Sequence, residues 1–163
     1  KMISIQIADI KLFMNNLFLS EYFDAFLLSE ANFVTFNTFH IDGILQHAYY
    51  SGEELKESGM GEQRFSLWKQ IRPFALSLIK GTHTPLEFKI VFRLSDSNVE
   101  KLLLQTGITA FSPADVDGLF LNLNFSRGDL YCISGTSLTL FSMDKTVEHA
   151  WDDAVKKYLN AFL

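Results

Sequence analysis

The sequence predicts an α+β fold: two βαββ units, a helix between them, and a further helix at the C-terminus. Three observations predict it. Alternating apolar runs are interleaved with runs whose apolar residues fall at i, i+3, i+4 and i+7, the periods of strand and helix. Asp42-Gly43 and Arg127-Gly128-Asp129 each separate two strand-like runs, as tight turns do. The succession strand, helix, strand, strand occurs twice, over about residues 2–50 and 86–141.

Residues 2–7 read as a short strand. A helix follows over 8–17, with Ile10, Phe13, Met14 and Leu17 on one face. Residues 25–41 are rich in Phe, Val and Thr and read as a strand. Asp42-Gly43 predicts a type I′ turn, which needs positive φ at both central residues, and 44–50 would be the return strand. Ser51-Gly-Glu-Glu caps a short helical turn. The linking helix is expected over 62–80, distorted at Pro73 because proline removes an amide donor, and ended by Gly81. Residues 86–94 alternate as a strand, and Ser95 caps a helix to about Gln105. Residues 118–125 place Leu119, Leu121, Leu123 and Phe125 on one face, and 130–141 return after the turn, with Gly135 read as a bulge. Asp144 caps the last helix, over 144–163, whose stripe is Val147, Trp151, Ala154, Val155, Tyr158 and Phe162.

The turn glycines at 43 and 128 are 85 positions apart, and the two unit helices align at an offset of 89. Near-equal offsets suggest an internal duplication. The chain has 163 residues, enough for one domain over 1–163. It is 48% hydrophobic, and its sixteen phenylalanines predict an aromatic core. A net charge of −5 opposes non-specific contact with phosphate backbones. The one cysteine, Cys132, leaves no partner for an intramolecular disulfide and fits a reducing cytoplasm. It falls opposite Leu123 and is expected to be buried and inert. No apolar run reaches the ~18 residues of a membrane helix and no signal-peptide pattern leads the chain, so no membrane contact is expected.

The stretch GLFLNLNFSRGDLYCISGTSLTLF, residues 118–141, resembles the strand-turn-strand of DNA sliding-clamp domains. That resemblance implies two pseudo-symmetric units with helices lining a ring and sheets outside it. Clamp helices face DNA with Lys and Arg; here the 8–17 helix carries only Lys11, and the 95–105 helix only Lys101. The whole chain also resembles an uncharacterised bacterial family of unknown function, which offers no functional residues to carry over.

Enzyme machinery is sparse. No Gly-Lys-Ser/Thr phosphate loop and no Gly-x-Ser-x-Gly elbow occur. Arg127-Gly128-Asp129 reads as turn chemistry. If Asp42-Gly43 closes a two-residue turn, cross-strand partners put His40 and His47 on one sheet face as diagonal neighbours, ~7–8 Å apart. They would then form a proton-transfer pair or two metal ligands, with Asp42 or Tyr49 assisting; a solvated polar sheet face is the other reading. His149 and Asp153 fall one helical turn apart on the side of the last helix away from its apolar stripe, and His83 lies in a loop. Arg64, Lys69, Arg72 and Lys80 form the basic cluster of the 62–80 helix and are the candidate nucleic-acid contacts.

Three functions follow. The leading one is an intracellular, non-enzymatic binding or scaffold domain acting on a protein partner or on itself, through a sheet edge or hydrophobic groove. The second is a small His-based or metal-dependent hydrolase using His40 and His47. The third is a clamp-like, DNA-associated protein. None of the motifs calls for a cofactor.

Overall fold

The computed structural model describes residues 2–163. Its centre is a six-stranded antiparallel sheet in the order β1-β6-β5-β4-β2-β3. The chain runs β1 (Ser4–Gln6), α1 (Ile10–Phe18), β2 (Leu27–Val34), β3 (Thr38–Asp42), α2 (Gly52–Ser58) and α3 (Trp68–Ile79). It continues through β4 (Glu87–Arg93), α4 (Asp96–Gln105), β5 (Val116–Ser126), β6 (Asp129–Leu138) and α5 (Thr146–Leu159). The α+β class and the twice-repeated strand-helix-hairpin order are therefore present. All six strands join one sheet. Exchanging the two units would set β1 beside β5, but β1 borders β6.

Strand alternation gives the sheet two unlike faces. One face carries Leu28, Ala31, Phe33, Phe88, Ile90, Phe92, Leu119, Leu121 and Leu123, all buried. Most of the phenylalanines collect there, under the helices. Phe26, Phe23 and Phe92 stack on one another, and Phe18 meets Trp68 and Phe88 edge-on. Trp68 donates its indole N–H to the Leu17 carbonyl at 2.9 Å, so its one polar atom is satisfied inside the core. Cys132 faces Leu123 and is buried, as expected; burial pushes its thiol up to about 12. The opposite face is polar and open. Its central row, in register across every strand, is His40, Asn32, Lys89, Asn124, Tyr131 and Gln6.

The second hairpin turns where expected. Arg127 (φ 53°) and Gly128 (φ 83°) both take positive φ between the paired residues Ser126 and Asp129. The irregularity near its open end lies between Val116 and Gly118, whereas Gly135 pairs in register with Phe120. The caps at Ser51 and Ser95 form as expected, the first as a reciprocal capping box with Glu54. Asp144 accepts the Thr146 N–H at the start of α5.

The first hairpin departs from expectation. Its turn is Thr35-Phe36-Asn37, and β3 ends at Asp42, so 44–50 is not a return strand. Gly43 is absent from the positive-φ residues. It is required for a different reason: a Cβ there would lie 1.8 Å from the Leu28 carbonyl oxygen. Ser29 bulges out of the β2–β4 ladder, and Gly43 donates its N–H to the Ser29 carbonyl at 2.9 Å.

The linking helix also begins later, at Trp68 rather than residue 62. Arg64 to Leu67 is instead extended and inserts beside β2. Leu45 donates to the Arg64 carbonyl, Ser66 to the Gly43 carbonyl, and Leu28 to the Ser66 carbonyl. Phe65 is bridged to Ile44, and Leu67 to Leu27. The alternation Phe65, Leu67 is a strand pattern that the following helix period obscures. Gln70 accepts the Leu67 N–H and so closes the true helix start. Pro73 sits within the helix without ending it.

Candidate functional site

The inserted segment and the ends of β4 and β5 bound an open cleft of about 780 Å³. Arg93, the last residue of β4, pairs across the sheet with Phe120 on one side and Leu27 on the other. Residues facing each other across strands share a face, so Arg93 and Phe120 stand together on the open side of the sheet. Leu67 pairs with Leu27, which brings Phe65, two residues earlier, to that same side.

The outcome is a ladder of cations and rings. The Arg93 guanidinium carbon lies 4.6 Å from the Phe65 centroid and 5.0 Å from the Phe120 centroid. The Arg64 guanidinium carbon lies 5.3 Å from the Phe65 centroid. Such contacts favour a guanidinium, which stacks on rings and is weakly hydrated. Gly118 makes room for them, since a Cβ there would come within 2.6 Å of the Phe120 ring and 3.2 Å of Arg93 Nη2.

Electrostatically the site carries both signs of charge. Among the described residues neither Arg64 nor Arg93 has an ion-pair partner. Arg93 Nη2 donates to the Asp117 carbonyl at 2.7 Å, and among the described residues no other acceptor meets its guanidinium. Burial first, and then the like charge of Arg64, holds Arg93 below its ordinary pKa, with Asp117 and Asp96 opposing. Asp117, Asp96 and Glu62 line the cleft, as does the start of α4 at Ser95, Asp96 and Ser97.

The residues singled out from sequence are distributed differently. His40 is exposed on β3, where its Nδ1 meets Asn32 Oδ1 at 2.8 Å. His47 lies in a 3-10 turn (His47–Tyr49), with Nε2 at 3.1 Å from the Met60 carbonyl. The shared hairpin face expected for them does not form, because 44–50 never pairs back with β3. Asp42 accepts the Ile44 N–H, and Tyr49 is 84% exposed with its ring against Tyr50. Among the described residues no group of three His, Cys, Asp or Glu side chains is placed to hold a metal ion.

The basic cluster is likewise divided. Arg72 makes a two-pronged contact with Asp24, both bonds 2.8 Å. Lys69 is exposed on α3 and Lys80 at its C-terminal cap. Arg64 precedes the helix and alone of the four enters the cleft. His149 and Asp153 are exposed on α5, as expected.

Arg93, Phe65, Phe120 and Gly118 went unnoticed in the sequence as site residues. Arg93 and Phe120 each occupy the outward phase of their strand, which is a usable signal. What brings Phe65 to them is the pairing of a segment more than 35 residues away with β2, and no local pattern encodes that.

No helix among the described residues is long and apolar enough to cross a membrane. No curated protein and no solved structure matches the chain. Residues 16–162 match the model of a family of unknown function, DUF5721, and the chain belongs to that family.

Proposed function

We propose that the protein is an intracellular, non-enzymatic binding domain that recognises a protein partner through the Arg64–Arg93 cleft. The observation that carries the reading is the pair of arginines held against rings, neither in an ion pair among the described residues. Arginine and aromatic side chains dominate recognition surfaces because they combine apolar contact with directed hydrogen bonds. The single cysteine, buried at Cys132, supports a reducing compartment.

The hydrolase reading has less support, since His40 and His47 each engage a separate partner. Of the four cluster cations behind the clamp-like, DNA-associated reading, Arg64, Lys69 and Lys80 have no ion pair among the described residues, and they stand against a net charge of −5.

A photo-crosslinking residue at Ile44, exposed beside Phe65, tests the proposal in the source cell. The same residue at Lys156, exposed on α5, is the control. The expected result is a protein adduct of defined mass from position 44 only, lost in Arg64→Glu and retained in the double variant His40→Ala, His47→Ala. No adduct, or identical adducts from both positions, would overturn it.

A further inference from the structure

We infer that the Arg64–Phe65–Arg93–Phe120 ladder is a carboxylate site, and that its natural occupant is an acidic side chain or chain terminus of the partner. This rests on the cleft being the recognition surface and goes on to name what it recognises.

Two guanidiniums share one phenyl ring. In an ordinary surface pair a carboxylate would sit near each cation and take up hydrogen bonds from its N–H groups. Here, among the described residues, the Asp117 carbonyl is the one acceptor that meets Arg93, while Phe65 and Phe120 cover two of its flanks. A half-buried guanidinium gains where an acceptor completes its fork of donors. A carboxylate fits what is left, because its two oxygens accept parallel N–H bonds from one guanidinium.

The surrounding charge selects among oxyanions. Glu62, Asp96 and Asp117 line the same cleft as the two arginines. Their repulsion grows with the charge of the ligand, so one singly charged carboxylate is tolerated better than a phosphate dianion or a run of phosphodiesters. The chain's net charge of −5 acts in the same direction at longer range. The α4 terminus at Ser95–Ser97 adds amide N–H groups that lack intrahelical acceptors. It assists, but the arginine pair defines the site.

The arginine Nε–Hε resonances of the full chain report on the site directly, each assigned by its loss in Arg64→Gln or Arg93→Gln. The probes are acetylated Gly-Glu-Gly amide, which carries one carboxylate, acetate and inorganic phosphate, each against sodium chloride of matched ionic strength. The glutamyl peptide is expected to move both resonances saturably and acetate to move the same two. Phosphate is expected to bind more weakly. Arg64→Gln, which alters an exposed side chain and leaves the fold testable, is expected to weaken the glutamyl peptide at least tenfold, equivalent to about 1.4 kcal/mol. Lys156→Gln is expected to change nothing.

Tighter binding of the glutamyl peptide than of acetate assigns the site to a peptide carboxylate. Equal binding assigns it to a free small carboxylate, overturning the partner as the source. Resonances that move no more than in chloride, or phosphate binding tighter than either carboxylate, would overturn the carboxylate assignment. Saturable carboxylate binding combined with failed crosslinking from position 44 would defeat the protein-partner reading while leaving the site intact.

Discussion

Two arginines in this molecule meet opposite fates. Arg72 extends from α3 to Asp24, which is 9% exposed, and the two form a two-pronged ion pair. The hydrogen bonds to Asp24 raise Arg72 above its ordinary pKa. Arg93 is lowered instead, by burial and by Arg64. The first environment prefers the charge and the second resists it. A group whose charged form is favoured on folding contributes to stability. Arg72 thereby ties α3 to Asp24, whereas Arg93 meets two rings and the Asp117 carbonyl but no ion-pair partner among the described residues.

The strongest way to break the contrast is to remove the frame of the cleft. Gly43→Ala would drive a Cβ into the Leu28 carbonyl, where backbone alone can yield. A loss of about 3 kcal/mol or more in urea unfolding is expected. The next effect comes from Asp24→Ala, which leaves Arg72 half-buried with no acceptor; about 2–3 kcal/mol is expected by the same measurement. Gly118→Ala is milder, about 1–2 kcal/mol, because the Phe120 ring can shift. It separates the two arginines in a second way. The ring shift should weaken binding of the glutamyl peptide at the cleft and leave the Arg72–Asp24 pair, read from its own Nε–Hε resonance, unmoved.

Much of this architecture was legible in the residues because its signals are local. The stripe Phe13, Leu17, the Ser51 and Ser95 caps, and the Arg127-Gly128 turn each depend on a few neighbouring positions, and all form. The Asp42-Gly43 pair misled because glycine has two uses. It permits positive φ, and it permits backbones to approach closely. Only the second applies at 43, and it involves β2, fourteen or so residues upstream. The true turn, Thr35-Phe36-Asn37, contains neither Gly nor Pro and left a weaker trace. The displaced turn then placed His40 and His47 on a face that does not exist. The cleft was hidden for a related reason. Its four ladder residues come from an inserted extended segment, the end of β4 and the interior of β5, so their meeting is decided by register and by the Ser29 bulge.

The most direct test of the contrast is a pair of unfolding free energies, for Arg72→Met and Arg93→Met, measured against the parent chain in urea. Methionine retains much of the apolar stem in each case and removes the charge. Arg72→Met is expected to lose about 2 kcal/mol, since it strands Asp24. Arg93→Met is expected to stay within about 0.5 kcal/mol of the parent, because Arg93 has no ion-pair partner among the described residues and methionine keeps apolar contact with Phe65 and Phe120. Equal losses in the two variants would contradict the account and make Arg93 a structural residue.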